Sequence, residues 1–203
     1  KKENYKGVNI RRVFISQMDS RKKIGSMLNG VTFFTSIFFH LLFSRSKGPM
    51  LFVTNPPFLP IMGYLIKVIR KRKYAIIVYD IHPDSGIAIG FMKKNIITDI
   101  WSKMNNLTYN NASYLVSLGC KMTKELKSRL KKNSNTKIVE IPNWADGSFI
   151  KPIEKNRNQF VKDHNLDKTF VALYSGNLSW HHDLDTIVNA SKYLGDEKIN
   201  LLF

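Results

Sequence analysis

Apolar positions fall along the chain in two alternating kinds of run. Short unbroken stretches, Met50–Asn55, Tyr74–Tyr79, Tyr114–Ser117 and Lys137–Ile141, have the length and composition of buried strands. Between them the apolar spacing turns helical: Ile61, Leu65, Ile66 and Ile69 mark a helix from Ile61 to Arg72, and further helices are expected over Ile96–Asn110 and Met122–Leu130. The first of these ends in Arg70-Lys-Arg-Lys73, a charge that suits the last turn of a helix. Unbroken apolar strands alternating with helices predict an α/β fold whose parallel sheet, within residues 48–143, is covered on both faces and joined by right-handed crossovers. Pro142-Asn-Trp-Ala-Asp-Gly147 interrupts the alternation, and 149–168 is polar. A strand over Thr169–Tyr174, a turn at Ser175-Gly-Asn-Leu178, a helix over Asp183–Leu194 and a strand over Ile199–Phe203 then restart it. A domain over 1–147 and the linker and first strand-helix-strand of another over 148–203 are expected.

One segment stands outside this alternation. Val31–Phe43 is aromatic-rich, with Arg21, Lys22 and Lys23 before it and Arg45 and Lys47 after it. Thirteen residues broken by Thr32, Thr35, Ser36 and His40 fall short of the roughly twenty a hydrocarbon core requires, so the segment reads as a core helix or as one lying in a membrane interface.

Composition sharpens the division. The 203 residues carry a net charge of +17, and it sits entirely in the first 150, which hold 25 basic and 8 acidic residues; the rest hold 7 of each. Such a surface suits a polyanion: nucleic acid, anionic lipid or a phosphorylated substrate. Thirteen Phe, eight Tyr and three Trp exclude a disordered chain, and one cysteine excludes a disulfide scaffold or a cysteine zinc site. Cys120 has no evident base beside it and reads as a packed thiol.

Ligands of open α/β sheets bind at the carboxyl ends of the strands. The loop Asp80-Ile-His82-Pro-Asp84 offers two carboxylates and an imidazole there, a set able to take a proton from a hydroxyl. The turn Ser175-Gly-Asn-Leu-Ser-Trp-His-His-Asp183 leads from a strand into a helix start and could offer backbone N–H groups to a phosphate. Its single glycine makes it neither a P-loop nor a dinucleotide fingerprint, and the adjacent His181 and His182 lack a third zinc ligand. The third loop, Ile141-Pro-Asn-Trp-Ala-Asp146, joins the two expected domains.

Taken in order, Val53-Thr-Asn-Pro-Pro57, Tyr79-Asp-Ile-His-Pro-Asp-Ser85, Ile141-Pro-Asn-Trp-Ala-Asp146, Tyr174-Ser-Gly-Asn-Leu178 and Leu184-Asp-Thr186 resemble bacterial family-4 glycosyltransferases of the GT-B fold, the type that builds surface polysaccharides. The resemblance covers about residues 50–195. It implies an acceptor-side Rossmann-like domain followed by the start of a donor-side one, and retaining transfer from a nucleotide-sugar to a hydroxyl of a polyprenyl-diphosphate-linked or glycan acceptor. The implied roles are Asp80 and His82 in catalysis, Asp84, Asn55 and Asn143 at the substrate, and Gly176, Asn177 and His182 at the donor diphosphate, with no metal or cofactor. Many relatives carry Arg and Lys where this chain has Asn177 and His182. Val31–Phe43 resembles the family's membrane-facing helix, which implies a cytoplasmic protein peripheral on the inner face of the cell membrane, with anionic lipid and not nucleic acid as the polyanion. The sequence reads as an internal piece of a longer enzyme, inactive alone. The competing classes are a non-catalytic basic protein binding nucleic acid or membrane, and a GT-B-like sugar-nucleotide epimerase.

Overall fold

The computed structural model describes residues 2–19, 21–177, 183–195 and 198–202. Contacts divide the chain into two units, Lys1–Asn143 and Trp144–Phe203.

The first unit opens with a hairpin that the apolar pattern did not reveal: β1 (Lys2–Tyr5) pairs antiparallel with β2 (Val8–Arg11). Lys6 and Gly7 form its turn, both at positive φ (48° and 82°), the conformation that two-residue hairpins need and that glycine adopts without strain. The helix α1 (Lys23–Leu42) follows, and it corrects the reading of the aromatic segment. The helix is 20 residues long, and Ile24–Leu42 is long and apolar enough to cross a membrane by length and composition. Counting from Val31 missed Ile24, Met27 and Leu28, which extend the apolar face by two turns. Thr32 and Thr35 do not interrupt it either, because each hydroxyl donates to the carbonyl four residues back (Leu28 O at 2.9 Å, Val31 O at 2.7 Å).

The sheet comprises β3 (Met50–Val53), β4 (Tyr74–Ile77), β5 (Tyr114–Ser117) and β6 (Lys137–Glu140), all parallel and side by side in chain order. The crossovers contain α2 (Leu59–Arg70), a short α3 (Asp84–Ala88) with α4 (Ile96–Asn111), and α5 (Cys120–Arg129). The mixed α/β architecture is thus the one the alternation predicts. Strand ends fall slightly earlier than expected: β4 stops at Ile77, although Val78 N–H still bonds to Val116 O at 2.9 Å, so Asp80 lies in the loop beyond the strand.

Cover differs from the expectation. Strands laid down in sequence order by right-handed crossovers put every crossover helix on one face. On that face Met50, Phe52, Tyr74, Ile76, Val78 and Leu115 are buried with Ile66 of α2, Tyr109 of α4 and Leu126 of α5. Phe38, Leu41 and Leu42 of α1 pack against the same cluster. The alternate positions face away from it, and there Leu51, Tyr114 and Val139 are 63%, 44% and 40% exposed. One face is core; the other is apolar and open.

Local chemistry explains the helix limits. Asn95 and Thr98 form a reciprocal cap that starts α4, with Asn95 Oδ1 accepting from Ile97 and Thr98 N–H and Thr98 Oγ1 accepting from Asn95 N–H. In α2, Gly63 lies so close to the sheet that a Cβ would come within 2.8 Å of the Phe52 and Tyr74 rings, which permits no side chain there. Cys120, expected as a packed thiol, is exposed at the first position of α5.

In the second unit α6 (Gln159–Asp163) precedes β7 (Phe170–Leu173), which pairs in parallel with β8 (Ile199–Leu202) across α7 (Leu184–Ser191). Asp183 caps α7 by accepting from Thr186 N–H at 3.1 Å. Lys155 Nζ donates to Thr169 O, tying the incoming segment to the start of β7.

Leu126, fully buried, anchors α5 to the sheet. Leu126→Ala should lower unfolding stability by about 2–5 kcal/mol in a urea titration, the range for a core leucine that leaves a cavity.

Candidate functional site

The loops that leave β3 and β4 at their carboxyl ends are tied together by one buried hydroxyl. Thr54 Oγ1, directly after β3, accepts from Tyr79 N–H at 2.9 Å and Asp80 N–H at 3.1 Å. It thereby fixes the backbone on which the Asp80 carboxylate is carried. Asn55 is the next residue along and is exposed, so the structure brings Asn55 and Asp80 to neighbouring positions on the sheet edge. The peptide bonds Asn55–Pro56 and His82–Pro83 are both cis.

His82 is held from two sides. Its backbone carbonyl accepts from Asn105 Nδ2 of α4 at 2.7 Å. Its imidazole lies nearly parallel to the Trp101 indole, at 5.8 Å between centroids and 16°, and Trp101 stacks in turn on Phe58 at 4.4 Å. Ser85 Oγ lies 3.4 Å from His82 Nδ1. Partial burial pushes the imidazole below its ordinary value of 6.5, and the nearby Asp80 carboxylate draws it part of the way back. Burial thus favours the uncharged ring, the form able to accept a proton. The Trp101 indole N–H is buried with no hydrogen-bond partner among the described residues.

Asp84 has a different neighbour. Its carboxylate pairs with Arg129 of α5 at 2.8 Å, and Arg129 also binds Glu125 at 2.7 Å. Asp84 thus joins α3 to α5. Asn143 is exposed three residues beyond β6, at the same sheet edge but two strands from β4. Gly176 and Asn177 lie in the second unit, in the loop after β7, where Tyr174 hydroxyl donates to Asn177 O at 3.2 Å. His182 lies outside the described residues. Among the described residues no three His, Cys, Asp or Glu side chains gather as a metal site would require.

Sequence reasoning overlooked Thr54 and Trp101. Thr54 stood inside a quoted motif, but a single threonine carries no sign that its hydroxyl will be buried. Trp101 carried a weak signal, as a large aromatic in the first turns of a helix otherwise poor in them.

Over 161 residues the chain is 24% identical to a curated protein named "Probable glycosyltransferase WbjE" from Pseudomonas aeruginosa. The match takes in 79% of this chain and 40% of that protein, so the chain spans less than half the length of its relative. No family model matches the chain. The likeness and the parallel α/β sheet together support a glycosyltransferase in general terms.

The lowered His82 value has a consequence for stability. The unfolded chain binds the proton more readily than the folded one, so stability is complete above the unfolded value near 6.5 and falls as the pH drops through and below it. Wild type should lose more stability than His82→Gln between about pH 7.5 and 5.5 in matched denaturant titrations. An NMR titration should place the His82 midpoint below 6.5.

Proposed function

We propose that the chain is part of a family-4 glycosyltransferase of the GT-B type that moves a sugar, with retention, from a nucleotide-sugar to a hydroxyl of a lipid-linked or glycan acceptor in surface-polysaccharide synthesis. The observation that carries the reading is the placing of Asp80 and His82 on one anchored loop at the carboxyl edge of a parallel sheet, in a chain similar to a probable glycosyltransferase.

In this reading the acceptor hydroxyl approaches Asp80. As its oxygen bonds to the anomeric carbon on the same face from which the nucleoside diphosphate departs, the bond from that carbon to the diphosphate breaks, and the configuration is retained. The hydroxyl proton passes to the Asp80 carboxylate, and the diphosphate departs with the electron pair. Thr54 keeps the Asp80 backbone in place, and the Trp101–Phe58 stack keeps the imidazole in its plane. His82 is the second candidate for the base. Asn55 and Asn143 supply amides for sugar hydroxyls, and Asp84 acts through its pairing with Arg129. Gly176, Asn177 and His182 approach the donor diphosphate in the complete enzyme. No metal or cofactor takes part.

The same reading makes the protein cytoplasmic and peripheral on the inner face of the membrane. Ile24, Met27 and Val31 of α1 are exposed, whereas Phe38 packs into the core. Those exposed residues would enter an anionic interface, helped by Arg21, Lys22 and Lys23, each basic residue contributing about 1 kcal/mol.

In the full-length enzyme, Asp80→Asn should retain the melting temperature and donor affinity while transfer falls about 10²–10⁴-fold, the usual contribution of a positioned base. Loss of activity in His82→Ala with Asp80→Asn still active would exchange the two roles. Full activity in both would leave the loop structural. Separately, Met27→Asp with Val31→Asp should release the protein from phosphatidylglycerol vesicles in a sedimentation assay, and unchanged binding with an intact fold would remove α1 from the contact.

A further inference from the structure

The carboxyl edge is not the only concave part of the first unit. At the opposite edge of the sheet, the C-terminal ends of α4 and α5 and the turn before β6 enclose a cavity of about 660 Å³. That volume lies in the range of small-ligand pockets. Its frame is assembled by Asn110. Asn110 Nδ2 donates to Asn106 O at 2.7 Å and to Arg129 O at 3.0 Å, while Oδ1 accepts from Lys131 N–H at 2.7 Å. One side chain thus clamps the end of α4 to the end of α5 before any ligand arrives.

Some of the lining is already bonded, Lys67 Nζ to Asn111 O, Arg129 to Asp84 and Glu125, and Ser134 Oγ to Asn110 O, and some is not. Within the described residues, the side chains of Lys103, Lys131, Asn133 and Asn135 make no hydrogen bond or ion pair, and all four line the cavity. Asn106 Oδ1 also has no hydrogen-bond partner among the described residues, but it is shut off from solvent and belongs to the wall of the cavity. Two free ammonium groups call for negative charge. Two free amides match groups that both give and accept hydrogen bonds. A bare inorganic anion is matched chiefly to the first demand and a neutral sugar only to the second.

We propose that this cavity is a binding site for an acidic carbohydrate, a sugar unit carrying a carboxylate or phosphate, separate from the carboxyl-edge site. The ligand's charge lies between Lys103 and Lys131, and its hydroxyls exchange hydrogen bonds with the amides of Asn133 and Asn135. A free sugar acid or sugar phosphate and an acidic unit of a longer glycan share this chemistry. The inference does not depend on which reaction, if any, occurs at Asp80.

Isothermal titration of the 203-residue chain tests it with tetragalacturonate, glucose 1-phosphate, sulfate and the neutral cellotetraose. Tetragalacturonate or glucose 1-phosphate should bind with a dissociation constant of about 1 mM or below. Sulfate and cellotetraose should bind more weakly. Preference for the tetramer points to a glycan source and preference for glucose 1-phosphate to a free one. Lys103→Ala with Lys131→Ala, both at the surface, should weaken acidic-sugar binding about tenfold. Asp80→Asn should leave it unchanged. As a second readout, the bound sugar should protect Lys103 and Lys131 from acetylation. The proposal is overturned if sulfate or cellotetraose binds as well as the acidic sugars. No binding at about 10 mM, or undiminished binding by the correctly folded double variant, also overturns it.

Discussion

The Thr54 hydroxyl is the interaction on which the carboxyl edge depends. It is only 2% exposed, and it takes the backbone N–H groups of both Tyr79 and Asp80 in the turn after β4. The bond crosses from one strand to the next and is supplied by a side chain, so the β3 and β4 loops move as one body. Asp80, Asn55 and the stacked His82 inherit their positions from that body and from α4 behind it, through Asn105 and Trp101. A threonine that touches no reacting group thereby sets where reacting groups stand.

The fold around this edge is one-sided in a way that its topology explains. Laying strands down in chain order keeps every right-handed crossover on the same face, so among the described residues the crossover helices gather on one side of the sheet. Arg129 belongs to this layer and does more than balance charge. By holding Asp84 and Glu125 together it joins the short α3 to α5, and the same stretch of α5 closes the polar cavity at the far edge. The two ends of the sheet are therefore linked through one guanidinium.

Much of this was legible in the sequence because it follows from local period. Tyr114–Ser117 has the limits the apolar run indicates, and α4 starts at Ile96 because Asn95 and Thr98 cap it. The placement of Asp80 at the carboxyl edge follows from the strand before it. What escaped depended on partners distant in sequence or on which face a residue takes. The hairpin at Lys2–Arg11 is mostly polar, and its apolar alternation is only Val8 and Ile10, too short to announce a strand. The length of α1 was hidden because its hydroxyls, which look polar in a sequence, are consumed by its own carbonyls. The sequence shows Asp84 only as a loop carboxylate, and nothing local reveals that Arg129, 45 positions later, stands beside it. Continuous apolar strands announced two covered faces, and only the order of the strands shows that one remains bare.

That order also governs how the chain reaches its fold. Each neighbour in the sheet is separated by a whole crossover: Val53 meets Ile77, Ile77 meets Val116, and Ser117 meets Glu140. No strand can find its partner through a tight turn, so loop closure precedes any reward from pairing, the regime in which folding runs more slowly than in helical bundles. Throughout that search Leu51, Tyr114 and Val139 face solvent, and they still do when pairing is complete. The interval in which the nascent sheet is vulnerable to self-association therefore does not close with the formation of its last strand.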